Sequence, residues 1–252
     1  MEIQGKKAIV VGGASGMGRA TAQALAKGGA DVAVLDRPTS AGAEVAAELG
    51  GVFHPCDVTD FEGTERALHD AVSGLGGLHI AVTTAGGGAA KRTLTKEGPH
   101  DLETFRRVLD LNVVATFNIN RLSAEHMSRN EPEDDERGVI INTASIAAFE
   151  GQIGQVSYTA AKAAIAGMSL TMARDLGSLG IRVLAIAPSL FATGGTAKMD
   201  DTRIAPLIAG NAFPKRMGRP EEYAKLALAI VDNPMLNGQC LRLDAGMRFG
   251  PK

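Results

Sequence analysis

Lys7-Ala8-Ile9-Val10-Val11-Gly12-Gly13-Ala14-Ser15-Gly16-Met17-Gly18, continued by an alanine-rich stretch to Lys27 and then by Asp31-Val32-Ala33-Val34-Leu35-Asp36, decides the fold. A short apolar run, a glycine turn, a segment of helical period and a second apolar run spell a strand–helix–strand unit. The pattern recurs. Helical stretches near 40–49, 61–75, 102–128, 157–179 and 220–232 alternate with the runs Val52–Cys56, Leu78–Thr83, Val139–Asn142, Arg182–Ala187 and Cys240–Leu243. Parallel neighbours need helix-length crossovers, so seven strands separated by helices predict an α/β fold. Its core is a seven-stranded parallel sheet covered on both faces, in a single domain over 1–252.

Composition fits such a core and narrows the partners. The chain has 252 residues, 45% hydrophobic and 21% charged, with a formal net charge of -2. Disorder, collagen and coiled coil are excluded. No Lys/Arg cluster offers a footprint for nucleic acid or anionic lipid, so neither is an expected partner. Cys56 and Cys240 stand alone, which predicts no disulfide framework and a reducing compartment. No apolar run approaches ~18 residues, and Met1–Gly5 leads straight into the first strand, so the expected location is cytoplasmic, away from the membrane. The charge run Glu131–Arg137 reads as a solvated loop. Ser189–Gly218 is a long segment after a strand's carboxyl end, where open α/β sheets bind ligands; it reads as a cover over a site, or as an inert excursion.

Gly12, Gly16 and Gly18 occupy the turn between the first strand and the first helix. Glycine permits the tight turn and the close approach of backbone to a pyrophosphate, while the helix start offers free N–H groups and a positive dipole end. Alone, such a turn reads equally as a plain loop. Asp36 closes the second strand about 20 residues on, where a carboxylate accepts ribose hydroxyls. That favours NAD, because a 2′-phosphate there would put like charges together, with Arg37 softening the repulsion. Asp57-Val58 repeats the arrangement after the third strand and suits adenine.

Tyr158-Thr159-Ala160-Ala161-Lys162 sets a phenol and an ammonium on one helix face, which alone reads first as a surface pair and gains meaning from its context. A phenol of pKa ~10 is a poor base at neutral pH. Bringing it to about 7 takes roughly 4 kcal/mol, which a nearby ammonium and a cationic oxidised nicotinamide can supply together. Ser145 lies just past the strand Val139–Asn142, in the same crevice, where it can hydrogen-bond a reacting oxygen. Asn112 is an amide in an apolar stretch and needs partners or a function. His54, His69, His79, His100 and His126 form no ligand-spaced group, so no metal site is predicted. Ser145 also lacks the Gly-x-Ser-x-Gly elbow of acyl-enzyme hydrolases.

The glycine turn, Asp36, Asp57-Val58, Thr84-Ala85-Gly86, Asn112, Ser145, Tyr158 and Lys162, in this order over nearly the whole chain, resemble the short-chain dehydrogenase/reductase family of Rossmann-fold oxidoreductases. The resemblance implies a catalytic tetrad. In it Tyr158 exchanges the hydroxyl proton, Ser145 orients the substrate, Lys162 binds ribose and lowers the phenol pKa, and Asn112 supports a water relay. The likeness is narrower to the 3-hydroxyacyl-CoA dehydrogenases of the family, through Asn142–Ser145, Ala148–Gln155, Ala173–Leu176, Phe213–Arg216 and Asn233-Pro234 with Leu236–Gly238. It adds Ser15, Met17, Thr84, Ala85, Gly86, Pro188, Phe191 and Thr193 to the cofactor contacts, gives Gln155 a place beside Ser145 and Tyr158 at the substrate, and implies a homotetramer. The implied reaction is NAD-dependent interconversion of 3-hydroxyacyl-CoA and 3-oxoacyl-CoA. A steroid or other secondary alcohol, a 3-oxoacyl-carrier-protein and a non-catalytic NAD-binding scaffold are the competing readings. Val11 stands where the family has Thr, Thr83-Thr84 where it has an Asn-rich pair, and Ser189 where it has Gly; altered hydrogen bonding is expected in these loops.

Overall fold

The apolar runs become strands buried on both sides. In β1 (Lys7–Val11), Ile9 and Val11 face one side of the sheet, Ala8 and Val10 the other, and all four are fully buried. α1 (Gly16–Lys27) leads to β2 (Asp31–Asp36), paired in parallel with β1 from Lys7 opposite Asp31 to Val11 opposite Leu35. α2 (Gly42–Glu48), β3 (Val52–Pro55), α3 (Phe61–Leu75) and β4 (Ile80–Thr83) follow. A small antiparallel hairpin, β5 (Leu94–Thr95) with β6 (Gly98–Pro99), precedes α4 (Leu102–Leu109) and α5 (Ala115–Met127). The chain continues through β7 (Gly138–Thr143), α6 (Val156–Leu176), β8 (Ile181–Pro188), α7 (Asp201–Ile208), α8 (Pro220–Asp232) and β9 (Cys240–Leu243). This computed structural model describes residues 1–194, 196 and 199–251.

The sheet runs β3-β2-β1-β4-β7-β8-β9, with all six pairings parallel. One face packs Ile9, Leu35 and Ile140 against Leu68 of α3, Ile119 of α5 and Met172 of α6. The other packs Val10, Val34 and Ile141 against Leu25 of α1 and Tyr223 and Ile230 of α8. Two apolar faces explain why the strands read as continuous runs instead of alternating. Strand order reverses between β1 and β4, which leaves a crevice beyond their carboxyl ends, the usual ligand position in such sheets.

Four local features depart from the sequence reading. The helix expected over 102–128 is interrupted by a π-helical turn, Asp110–Val114, where the Asn112 side chain bonds backbone groups; a widened turn of this kind is common near functional sites. The hairpin strands are two residues long, too short for a period to declare itself. α7 lies inside the 189–218 segment and is capped by Asp200, whose carboxylate accepts from Arg203 N at 3.0 Å. The 131–137 run is only partly solvated. Asp134 and Asp135 are exposed, but Glu136 accepts from Arg182 Nε at 2.7 Å, with only 10% and 7% of the two side chains exposed. Glu136 is therefore the counter-ion of a buried guanidinium, which also donates to the carbonyls of Ile230, Val231, Asn233 and Leu236. A buried cation needs such compensation.

Candidate active site

Two hollows open at the strand-order reversal and share Gly12, Ser15, Thr84 and Gly86. The larger, about 380 Å³, is lined by Ser145, Tyr158, Lys162, Pro188, Phe191 and Thr193, together with Gly16, Met17 and Gly18. The smaller, about 320 Å³, is lined by Asp36, Arg37, Asp57, Val58 and Ala85. They form the two ends of one cleft, with the glycine turn between them.

Steric necessity explains the glycines. Gly12 has φ +83°, and a Cβ there would stand 2.6 Å from Ala85 N. On Gly18 it would stand 2.1 Å from Gly12 O. Both obstacles are backbone, so a side chain at either position displaces the turn itself. Ser15, in extended conformation before α1, makes no capping bond, and the first turn of α1 carries no acidic residue. A bare backbone leading to an open, carboxylate-free helix start fits a pyrophosphate. The hydrogen bonding placed in question by Val11 and Thr83-Thr84 comes from Thr84, whose Oγ1 lies 3.2 Å from Val11 O and 3.1 Å from Gly12 O. That hydroxyl ties the end of β4 to the turn.

At the smaller end, Asp36 Oδ2 accepts from Ala14 N at 2.9 Å and Oδ1 from Arg37 N at 2.7 Å. The carboxylate is thereby oriented while each oxygen keeps capacity for a ribose hydroxyl. Asp57 Oδ1 accepts from the Thr59 hydroxyl at 2.7 Å and from Thr59 N at 2.9 Å, bonds that hold its carboxyl below the usual range. Cys56 and Leu111 also line this end. Sequence reasoning passed over them because an apolar lining residue looks like any core residue.

At the larger end, β7 delivers Ser145 two residues beyond its terminus, and α6 delivers Tyr158 in its first turn and Lys162 one turn later. Ser145 Oγ accepts from Ala147 N at 3.1 Å, opening a 3-10 turn over Ile146–Ala148, and its own proton is directed to the Tyr158 oxygen. The phenol of Tyr158 is shifted upward by burial, against a smaller opposing pull from its hydrogen bond with Ser145. Lys162 is fully enclosed. Its Nζ donates to Thr143 O at 2.8 Å and lies 5.7 Å from the centre of the Tyr158 ring, and burial brings its pKa down to about 8. In the free cleft, then, the phenol is weaker as an acid than an ordinary tyrosine, opposite to the shift the chemistry requires. Desolvation outweighs the Ser145 hydrogen bond, and the nearby ammonium is turned toward a carbonyl.

Asn112 and Gln155 fall outside the lining. Asn112 is fully buried; its Nδ2 donates to Gly87 O at 2.7 Å and its Oδ1 accepts from Gly87 N at 3.2 Å. It braces the loop after β4 from behind: a Cβ on Gly86 would stand 2.7 Å from Asn112 Oδ1 and 3.2 Å from Lys162 Nζ. Gln155 Oε1 accepts from Gln152 N at 3.0 Å, closing the turn before α6. The structure adds Thr143, Leu190 and Thr196 to the lining. Among the described residues, no group of three or more His, Cys, Asp or Glu is placed to hold a metal ion. No described helix is long and apolar enough to cross a membrane.

Residues 6–204 match the family model described as short chain dehydrogenase. The chain belongs to the short-chain dehydrogenase family. Among its relatives, the 3-hydroxyacyl-CoA dehydrogenase type-2 of Drosophila melanogaster is 49% identical, over 99% of this chain and 100% of that one. The protein of the same name from Homo sapiens is 47% identical, over 99% and 97%. A crystal structure of 3-hydroxyacyl-CoA dehydrogenase type-2 from Mycobacterium avium superposes with a TM-score of 0.94 at 41% identity, over 98% of both chains. A 7α-hydroxysteroid dehydrogenase complexed with NADH and 7-oxo glycochenodeoxycholic acid gives 0.86 at 31% identity, over 98% of this chain and 95% of that one. This short-chain dehydrogenase is thus an oxidoreductase built on one α/β domain.

Proposed function

We propose that this dehydrogenase uses NAD to interconvert a secondary alcohol and its ketone, with 3-hydroxyacyl-CoA and 3-oxoacyl-CoA as the pair, in fatty-acid metabolism. The observation that carries the reading is the meeting of Ser145, Tyr158 and Lys162 in one hollow with the glycine turn. The thioester class is supported by relatives at 45% to 49% identity that bear the name of that activity.

Nicotinamide, when bound, accepts or gives the hydride and in its oxidised form carries a positive charge. The protein supplies the rest. The turn at Gly12, Gly16 and Gly18, with Ser15 and Met17, would hold the pyrophosphate; Asp36 would take the adenosine ribose, and Asp57 and Val58 the adenine. Lys162 and Tyr158 would take the second ribose, with Thr84, Ala85, Gly86, Pro188, Phe191 and Thr193 lining the cleft. Ser145, which faces Tyr158, turns its hydroxyl proton to the reacting oxygen when substrate is bound. Tyr158 protonates that oxygen on reduction and deprotonates it on oxidation. Asn112 braces the wall beside Lys162 and supports a water relay, Gln155 faces the substrate once it is bound, and the segment 189–218, of which 195, 197 and 198 lie outside the described residues, covers it.

The sign of the pH dependence follows from the upward-shifted phenol. At neutral pH the group is a donor, suited to reduction. Oxidation needs the phenolate, so its rate climbs with pH through the phenol's titration while the reduction rate falls.

Cofactor choice rests on Asp36. Asp36→Ala, by freeing Arg37 from a neighbouring carboxylate, lowers kcat/KM for NADH by about tenfold and raises it for NADPH, since a lost hydrogen bond to a charged group costs about 1.5–3 kcal/mol. Steady-state kinetics with both cofactors check this; an unchanged preference would remove Asp36 from the ribose.

The test of the proposed substrate is consumption of NADH with acetoacetyl-CoA. Rapid, NADH-selective turnover is expected. NADH binding without turnover of the thioester would sink the acyl-CoA assignment and move a steroid panel to the front. The reading also includes a cytoplasmic location and a homotetramer, for which Phe117 of α5 and Leu170 of α6, 48% and 47% exposed, offer apolar surface to a second copy; the mass of the protein in solution tests the assembly.

A further inference from the structure

Tyr223 sits in α8, far along the chain from the tetrad, and is completely buried. Its hydroxyl lies 2.7 Å from Thr143 Oγ1, which itself lies 2.6 Å from Thr83 O. A carbonyl only accepts, so Thr143 commits its single proton to Thr83, and Tyr223 must be the donor to Thr143. The side chain of Thr143 is thereby fixed from two sides, by α8 and by β4. Its main-chain oxygen is the acceptor for Lys162 Nζ, at 2.8 Å, and among the described residues it is the only acceptor that Lys162 has. Thr143 also lines the cleft.

We propose that Tyr223 is a positioning residue of the active site: through Thr143 it holds the carbonyl that aims the Lys162 ammonium beneath the Tyr158 ring. The inference rests on the proposed acid–base role of Tyr158 and not on the identity of the substrate. Burial shifts both groups, raising the Tyr158 phenol and lowering the Lys162 ammonium, and the Ser145 hydroxyl opposes it at Tyr158 alone. The Lys162 ammonium, 5.7 Å from the ring centre, is the cation placed beside that ring, and a nearby positive charge favours the phenolate, so its aim is what Tyr223 controls.

The chain offers a direct readout, because it has two tyrosines and no tryptophan. Burial pushes both phenols up, so the Tyr158 titration is read as the difference in tyrosinate absorbance from Tyr158→Phe. In the NAD-bound protein, Tyr223→Phe moves this midpoint upward by about half a pH unit, a threefold change in the phenolate equilibrium. The pH profile for alcohol oxidation moves with it, kcat falling at neutral pH and KM staying put. Thr143→Val, which removes the receiving hydroxyl but keeps the shape, produces the same displacement, and Thr143→Ser restores the wild-type midpoint. If Tyr223→Phe and Thr143→Val lower thermal stability while leaving the Tyr158 midpoint in place, Tyr223 is only a core residue and the proposal is overturned. Absence of turnover with acetoacetyl-CoA leaves the titration readable, so failure of the substrate assignment is distinguished from failure of this one.

Discussion

Tyr158→Phe lowers turnover in both directions by about 10³-fold while the protein folds and binds NADH as before. The substitution removes one hydroxyl from a ring that is already packed against Gly88, where a Cβ would stand 2.7 Å from the tyrosine Cδ2. Shape is preserved, and the fold loses only a hydrogen bond with Ser145. What disappears is the proton donor. General acid–base groups contribute about 10²–10⁴-fold, and 10³-fold corresponds to about 4 kcal/mol of barrier. Ser145 cannot take over, because a serine hydroxyl is a far weaker acid than a phenol and has no lysine beneath it. Nicotinamide fluorescence measures binding and absorbance measures turnover. A variant that kept a tenth of the wild-type rate would remove Tyr158 from proton exchange and shift attention to bound water.

Lys162→Met makes the protein more stable at neutral pH and nearly inactive. Burial pushes the Lys162 ammonium down to about 8, with one carbonyl as its partner. The unfolded chain therefore holds more protons than the folded one between about pH 8 and the ordinary lysine value of ~10.4, and stability rises with pH across that window. Below it the enclosed charge costs the fold roughly 3 kcal/mol, because each tenfold loss of proton affinity is worth about 1.36 kcal/mol. Methionine fills much of the same volume without charge, so a gain of about 1–3 kcal/mol at pH 7 is expected, vanishing above pH ~10. Denaturant unfolding at several pH values checks both parts. Equal stabilities at pH 7 would mean that the ammonium is already compensated in the folded cleft. A destabilised variant would mean that its bond to Thr143 O outweighs its desolvation. The expected pattern is that of a charge retained for chemistry at a cost to the fold.

Much of this was legible in the sequence because fully buried parallel strands and phosphate turns leave local signatures. Seven apolar runs between helical stretches spelled out the sheet, and Gly12, Gly18 and Asp36 declared themselves by their position after β1 and β2. Tyr158 and Lys162 showed as a spacing on one helix. Other features depend on contacts between distant segments. Nothing near Asn112 announced a π turn, since the amide's partner is the backbone of Gly87 in another loop. Glu136 looked solvated because its partner, Arg182, is 46 residues away. Tyr223 is invisible in the string, where it reads as one more apolar position of α8. The direction in which Tyr158 titrates was also hidden. Its spacing from Lys162 suggests a lysine-activated phenol, whereas in the folded cleft burial wins until another positive charge arrives.

The proposed chemistry stands on three claims: that Tyr158 exchanges the proton, that burial holds it neutral in the free enzyme, and that the oxidised cofactor's charge makes it ionisable nearer neutral pH. The most direct measurement follows tyrosinate absorbance against pH for the free and NAD-saturated protein, with Tyr158→Phe as the blank. The expected midpoint lies above the ordinary tyrosine value without NAD and moves down toward neutral pH with it. A midpoint that stays in place when NAD binds would contradict the claim that this phenol is the acid–base group.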